Sequence, residues 1–358
     1  MARVTLKNLR HSYIANPKGP EDYALKGLDV TWRDGGAYAL LGPSGCGKST
    51  LLNIISGLLT PSEGAILFDD KDVTQMTPDE RHISQVFQFP VVYDTMTVRN
   101  NLAFPLKNRG VAPDRITARV AEIAEMLEVT EMLDVRASNL SPDNKQKISM
   151  GRGLVRDDVN VIMFDEPLTV IDPHLKWKLR SKLKELHQRI KLTMIYVTHD
   201  QTEALTFADE VVVMQDGEVV QIGTPVELFE RPQHTFVGHF IGSPGMNVLP
   251  CEAQDDHAVF EGHKVALEGA VTGHGGDVKL GVRPEHVNIG ETGVPAQVIK
   301  VSDVGRHFVV EAQVGQSRLK AITEETAPEQ GETVNLSFIP EKTRVYRDGW
   351  IATEVPGK

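Results

Sequence analysis

The chain has 358 residues, more than one compact domain normally holds, since domains cluster near about 100–150 residues and rarely pass about 250. Its 38 basic and 49 acidic side chains leave a formal charge of −11, which gives no general attraction to nucleic acid and counts against a polyanion-binding role. Two cysteines, Cys46 and Cys251, make no disulfide framework and point to a reducing compartment, and the longest apolar runs fall far short of the roughly 20 residues that a bilayer crossing requires. The N-terminal stretch MARVTLKNLRHSY has no apolar core of the kind a secretory signal carries, so any work at a membrane is expected on the inside face, through partners.

In chain order, strand-like and helical runs alternate up to about residue 234, which predicts an α/β layered core. The apolar run AYALL leads into GPSGCGKST, residues 42–50, and then into the helical LLNIISGL. Strand, glycine loop and helix in that order turn the pattern G-x-x-x-x-G-K-[ST] into a phosphate cradle. Gly42, Pro43, Ser44, Gly45, Cys46 and Gly47 form the loop, whose amides and helix dipole suit phosphate oxygens. Lys48 is placed for the β- and γ-phosphates, Ser49 for Mg²⁺, and Thr50 closes the motif. Cys46 reads as a small residue that fits the loop.

After the strand-like ILFDD, strands vanish between residues 88 and 139, predicting a helical insertion in which Val120, Ile123, Ala124 and Leu127 form one face. The stretch NLSPDNKQKISMGRGLVR is a well-made helix start: Ser141 as cap, Pro142 in the first turn, Asp143 at the positive end of the dipole. VNVIMFDEP is a buried strand that delivers Asp165 to a metal and Glu166 to a water attacking the γ-phosphate. Residues 173–190 put Leu175, Leu179, Leu183, Leu186 and Ile190 on one packing face. TMIYVT then runs directly into His199 and Asp200, bringing a histidine to the same sheet edge, and EVVVMQ is one more strand. Beyond residue 236, short alternating runs such as HFVVEAQV and VNLSF, broken by glycine and proline, read as a small all-β domain.

Together these motifs resemble an ABC transporter ATPase over essentially the whole chain. The resemblance implies a P-loop, RecA-like core at residues 1–235 with a helical subdomain at about 89–156, then an OB-like regulatory domain of the TOBE type at 236–358. It makes Gln88, in VFQFP, the Q-loop residue with both a catalytic and a metal-binding role, Asp165 a metal ligand, Glu166 and His199 catalytic, and Asp172 the D-loop acid. Tyr13 sits where the family stacks adenine, with Tyr23 a rival because IANPKGPED is inserted beside it. The tail segments HTFVGHFIGSPGMNVLP and LGVRPEHV look like those of importers for sugars, glycerol phosphate and polyols, and NLSPDNKQKISMGRGLVR with FDEPLTVIDPHLKWKLR resembles one of the two unlike ATPases of proteobacterial glycerol importers. The cofactors so implied are ATP and Mg²⁺. The implied partners are a second ATPase, two transmembrane permeases and, through the complex, a periplasmic solute-binding protein, with this chain peripheral on the cytoplasmic face of the inner membrane.

In that family the segment aligned with residues 140–146 reads LSGGQ and grips the ATP of the other subunit. Here Leu140 and Ser141 are kept, but Pro142, Asp143 and Asn144 follow, so one amide N–H is lost and a carboxylate gained. Two unit charges about 5 Å apart at an effective dielectric near 20 interact by roughly 3 kcal/mol, here repulsive. The expectation is a weakened trans grip and pairing with an unlike ATPase; the alternatives are a symmetric homodimer that tolerates LSPDN and a non-transport ABC ATPase. The apolar Phe89, Val91, Val92 and Tyr93 after Gln88 are read either as the seat of the permeases' coupling helices or as a core for the insertion.

Overall fold

The computed structural model describes residues 2–254, 256–273, 275–324 and 326–353. By internal contacts the chain divides into two compact units, Met1–Pro225 and Val226–Lys358.

The first unit is built on two sheets. An antiparallel sheet joins β1 (Val4–His11), β2 (Leu25–Trp32), β4 (Glu63–Phe68) and β5 (Lys71–Asp72) in the order β2-β1-β4-β5. The central sheet uses β3 (Ala37–Leu41), β6 (Ile83–Val86), β7 (Val161–Asp165), β8 (Thr193–Thr198), β9 (Glu210–Gln215) and β10 (Glu218–Gly223). Its order is β10-β9-β3-β8-β7-β6, parallel from β9 to β6, with β10 antiparallel at one edge. Every residue of β3 and β8 is buried, as expected of parallel strands covered on both faces. Parallel pairing also brings the carboxyl ends of β3, β7 and β8 to one edge, where the loops after them carry the chemistry.

The predicted insertion is helical: α2 (Val98–Lys107), α3 (Pro113–Met126) and α4 (Pro142–Leu154), with no strand among the described residues between β6 and β7. Val120, Ile123, Ala124 and Leu127 are all buried. On α4, a Cβ added to Gly151 would lie 2.5 Å from Leu102 Cδ2, and one on Gly153 2.9 Å from Val86 Cγ2, so only glycine lets this helix sit so close to α2 and β6. The remaining helices are α1 (Lys48–Ser56), α5 (Pro173–Ile190) and α6 (Gln201–Phe207). On α5, Leu179, Leu183 and Leu186 are buried, while Leu175 and Ile190 are half-buried at its ends.

The second unit is β-rich, with sheets of four, three and five strands around a shared core that includes Leu249, Phe260, Leu280, Val298, Val310 and Leu336. The five-stranded sheet pairs only antiparallel neighbours, among them the predicted runs Phe308–Val314 and Thr333–Phe338. Its boundary lies earlier than the sequence placed it. The Tyr346 hydroxyl donates to Pro232 O at 2.9 Å, Ile351 N to Gln233 O at 2.9 Å, and Thr235 N to Gly349 O at 2.8 Å. These bonds tie residues just before 236 to strands more than a hundred positions onward, a link that local sequence texture does not reveal.

Candidate active site

The phosphate loop follows β3 and ends at Gly47, which starts α1 with φ of 99° and no side-chain cap. That conformation is open to glycine, and the uncapped amides of the first turn are the donors an anion requires. Gly45, with φ of 84°, has open space where a Cβ would stand. The Lys48 ammonium is buried within the loop, donating to Gly42 O and Pro43 O at 2.8 Å each. Cys46 is buried beside it, Sγ 3.8 Å from the ammonium; burial pushes its thiol pKa up, and the nearby Lys48 charge only partly offsets this. The thiol therefore stays protonated and packs as a small apolar group.

Ser49 Oγ lies 3.5 Å from Asp165 Oδ1, joining the start of α1 to the end of β7. Burial, and then the neighbouring Glu166 charge, raise the Asp165 carboxyl above its ordinary range, against the lowering effect of Ser49 and Lys48. Two adjoining carboxylates in a half-buried site carry a surplus of negative charge that a divalent cation would relieve. Among the described residues no three His, Cys, Asp or Glu side chains are gathered as a self-sufficient metal cage. The Ser49 hydroxyl and the Asp165 carboxylate, brought together here, fit Mg²⁺, which keeps waters and shares substrate phosphates.

Glu166 is the hub of the site. Its φ is 45°, in the left-handed region, and its N–H donates to Val197 O at 3.0 Å, so the strand end of β8 holds a strained backbone in place. His199 Nδ1 stands 3.1 Å from Glu166 Oε1, while the Gln88 amide and the Thr169 hydroxyl approach Oε2 at 3.4 and 3.3 Å. Residues 88 and 199, far apart in sequence, thus converge with Thr169 on the Glu166 carboxylate. It accepts hydrogen bonds from Gln88 and Thr169 and stands at ion-pair distance from His199.

The other predicted residues are placed nearby or apart. Tyr13 is 67% exposed, and its hydroxyl is 3.1 Å from Thr50 Oγ1, so its ring stands beside the phosphate-loop helix; Tyr23 instead donates to Glu63 at 2.8 Å. Asp172 caps α5, accepting from His174 N at 2.9 Å. Ser141 caps α4, its Oγ accepting from Asn144 N at 3.4 Å, with Pro142 and Asp143 in the first turn and Leu140 just before.

Phe89, Val91 and Tyr93 are 70%, 49% and 40% exposed, which favours a surface role over a core for the insertion. Three polar residues that the sequence reading passed over shape this segment. Asn101 accepts from Tyr93 N at 2.8 Å and donates to Tyr93, Met96 and Thr97 carbonyls. Arg152 lies 4.4 Å over the Tyr93 ring and donates to Val91 O. Gln146, fully buried, donates to Phe87 O at 3.1 Å and Pro167 O at 2.9 Å, bolting α4 to the residues next to Gln88 and Glu166. Each sits at a helical position where a polar side chain reads from sequence as solvated.

Residues 25–169 match the ABC transporter family, 242–287 the MalK OB fold domain and 280–345 the TOBE domain. The sn-glycerol-3-phosphate import ATP-binding protein UgpC of Bordetella avium is 38% identical over 94% of this chain and 94% of its own. The chain belongs to the ABC transporter ATP-binding proteins. This ABC ATPase is also 37% identical, over 97% of its length and 98% of the relative's, to the sulfoquinovosyl glycerol transport ATP-binding protein SmoE of Agrobacterium fabrum. Among solved structures, cbiO1 from Clostridium perfringens, part of an ABC transporter complex, matches 64% of this chain and 90% of its own at a TM-score of 0.58 and 29% identity. An ATP-binding cassette solved as a dimer after hydrolysis, with ADP and Pi, matches 62% of this chain and 98% of its own at a TM-score of 0.55 and 28% identity. This ABC ATPase therefore binds ATP and couples its hydrolysis to transport, with the importer-type OB-containing tail that the sequence predicts.

Proposed function

We propose that this chain is the ATP-hydrolysing subunit of a bacterial importer for a small polar solute of the glycerol phosphate, sugar glycerol, polyol or sugar class. Names of relatives that import sn-glycerol-3-phosphate or transport sulfoquinovosyl glycerol support that solute class. It works at the cytoplasmic face of the inner membrane, docked on two permeases that a periplasmic solute-binding protein supplies; among the described residues no helix is long and apolar enough to cross a membrane.

The convergence of Gln88, Glu166 and His199 carries the hydrolytic reading. Lys48 and the loop amides neutralise phosphate charge, and Tyr13 stacks on the adenine. Ser49, Gln88 and Asp165 would hold Mg²⁺, which when bound would polarise the phosphates. Glu166 orients a water and accepts its proton as the water oxygen bonds the γ-phosphorus and the bond to the β-phosphate bridging oxygen breaks. His199, steadied by Glu166, contacts the γ-phosphate, and Asp172 faces the partner.

The start of α4 carries a second part of the reading, that the partner is an unlike ATPase. Ser141 spends its oxygen on Asn144 N, Pro142 has no N–H to give, and Asp143 adds a carboxylate. Such a start offers a partner's ATP a poor grip, while this chain's own phosphate loop is complete. The competent site then joins this loop to the partner's signature. Purifying the importer as encoded by its natural operon and counting its ATPase polypeptides tests the pairing. Two unlike ATPases support it; two copies of this chain alone overturn it.

A further inference from the structure

Glu203 is a carboxylate 3% exposed, in the first turn of α6, and it lies outside the set of residues given roles above. Its Oε2 accepts from the Tyr196 hydroxyl at 3.1 Å and from the Thr198 hydroxyl at 2.9 Å; its Oε1 faces Lys176 Nζ at 3.6 Å. Burying a charge is costly unless it is paired and hydrogen-bonded, and this one is both.

Thr198 fixes what these bonds do. A hydroxyl has one proton, and this proton goes to Glu203, so its oxygen is left to accept the Asp200 amide at 3.0 Å. Asp200 in turn accepts from Thr202 N at 2.7 Å and Glu203 N at 3.2 Å as the cap of α6. The residues on both sides of His199 are therefore linked to one buried carboxylate, Thr198 directly and Asp200 through the Thr198 hydroxyl. Lys176 stands one turn into α5 from its cap Asp172, so the same carboxylate also ties the D-loop helix to the switch histidine.

We infer that Glu203 is a positioning residue for hydrolysis: it sets the height and direction from which His199 meets the γ-phosphate. The inference rests on the role proposed for His199, and the test separates the two. Glu203→Leu, Glu203→Gln, His199→Ala and the double variant Glu203→Leu/His199→Ala are introduced into the assembled transporter, and single-turnover ATP hydrolysis and ATP affinity are measured. Glu203→Leu is expected to slow hydrolysis about tenfold or more, with ATP affinity within about twofold, because remote misplacement acts on the transition state. Glu203→Gln keeps an oxygen for Tyr196 and Thr198 and recovers most of the rate. The double variant is expected to be no slower than His199→Ala alone, since groups that act as a unit are not additive. Losses that multiply in the double variant, or an ATP affinity that falls with the rate, would overturn the inference. Full activity of His199→Ala would overturn the histidine's role, and the positioning role with it.

Discussion

Around Glu166 the Q-loop, the end of β7, the turn after it and the switch loop after β8 meet within 3.4 Å, all drawn from one chain. At Ser141, by contrast, a helix start caps itself and stands with a proline and an acid where its family presents glycine amides. The first region is finished by the fold; in the pairing proposed above, the second would be finished by what another chain brings to it. Hydrolytic chemistry can thus stay intact on one side of a subunit while the surface it lends across a dimer drifts, because sheet registry builds one and a single helix tip makes up the other.

The largest way to break the comparison is Glu166→Gln. Turnover should fall about 10²–10⁴-fold, the usual weight of a general base, while ATP affinity changes little, because no phosphate contact is removed. Steady-state hydrolysis and nucleotide binding in the assembled transporter check this, and unchanged turnover removes Glu166 from the chemistry. A smaller effect sharpens the other side. Replacing Pro142 and Asp143 together by glycine restores an N–H and deletes the carboxylate, and should raise the rate of the weaker site by about three- to tenfold after solvent screening. No change in hydrolysis would mean that the helix start already serves its site.

The smallest effect concerns stability. Asp158 joins Arg109, after α2, to Arg156, after α4, at 2.8 and 2.9 Å. Burial alone would raise its carboxyl, but the two guanidiniums outweigh that and hold it at about 2, below its ordinary 3.8. A depressed carboxylate stabilises above its unfolded value, and that contribution is lost as pH falls from near 4 toward 2. Asp158→Ala should therefore lower stability by about 1 kcal/mol at neutral pH, a discounted figure for a part-exposed pair, and converge with the unaltered protein near pH 2. Chemical denaturation across that range measures it. ATP binding should be unchanged, since the pairs sit on the helical side.

Much of this was legible in sequence for local reasons. The strands β3, β7 and β8 are continuous apolar runs, and the phosphate loop is a contiguous motif between a strand and a helix. The capped starts of α4 and α5 are spelled within four residues each. What stayed hidden depends on distant partners. Glu203 reads as an ordinary first-turn acid until Tyr196, Thr198 and Lys176 close over it, and Gln146 as a solvated amide until Phe87 and Pro167 present their carbonyls. The membership of residues 232–235 is written in bonds to residues 346–351, which no window of sequence contains.

The seating of α4 has its own consequence. Gly151 and Gly153 press the middle of the helix against Leu102 and Val86, and Gln146 bolts its second turn, so the helix is held by its body. Its first three residues bear none of that load. In the pairing proposed above, substitutions there would alter what the tip offers a neighbour while leaving the seat of the helix in place. Such a subunit can lose its half of a conversation and still pass along every movement it receives.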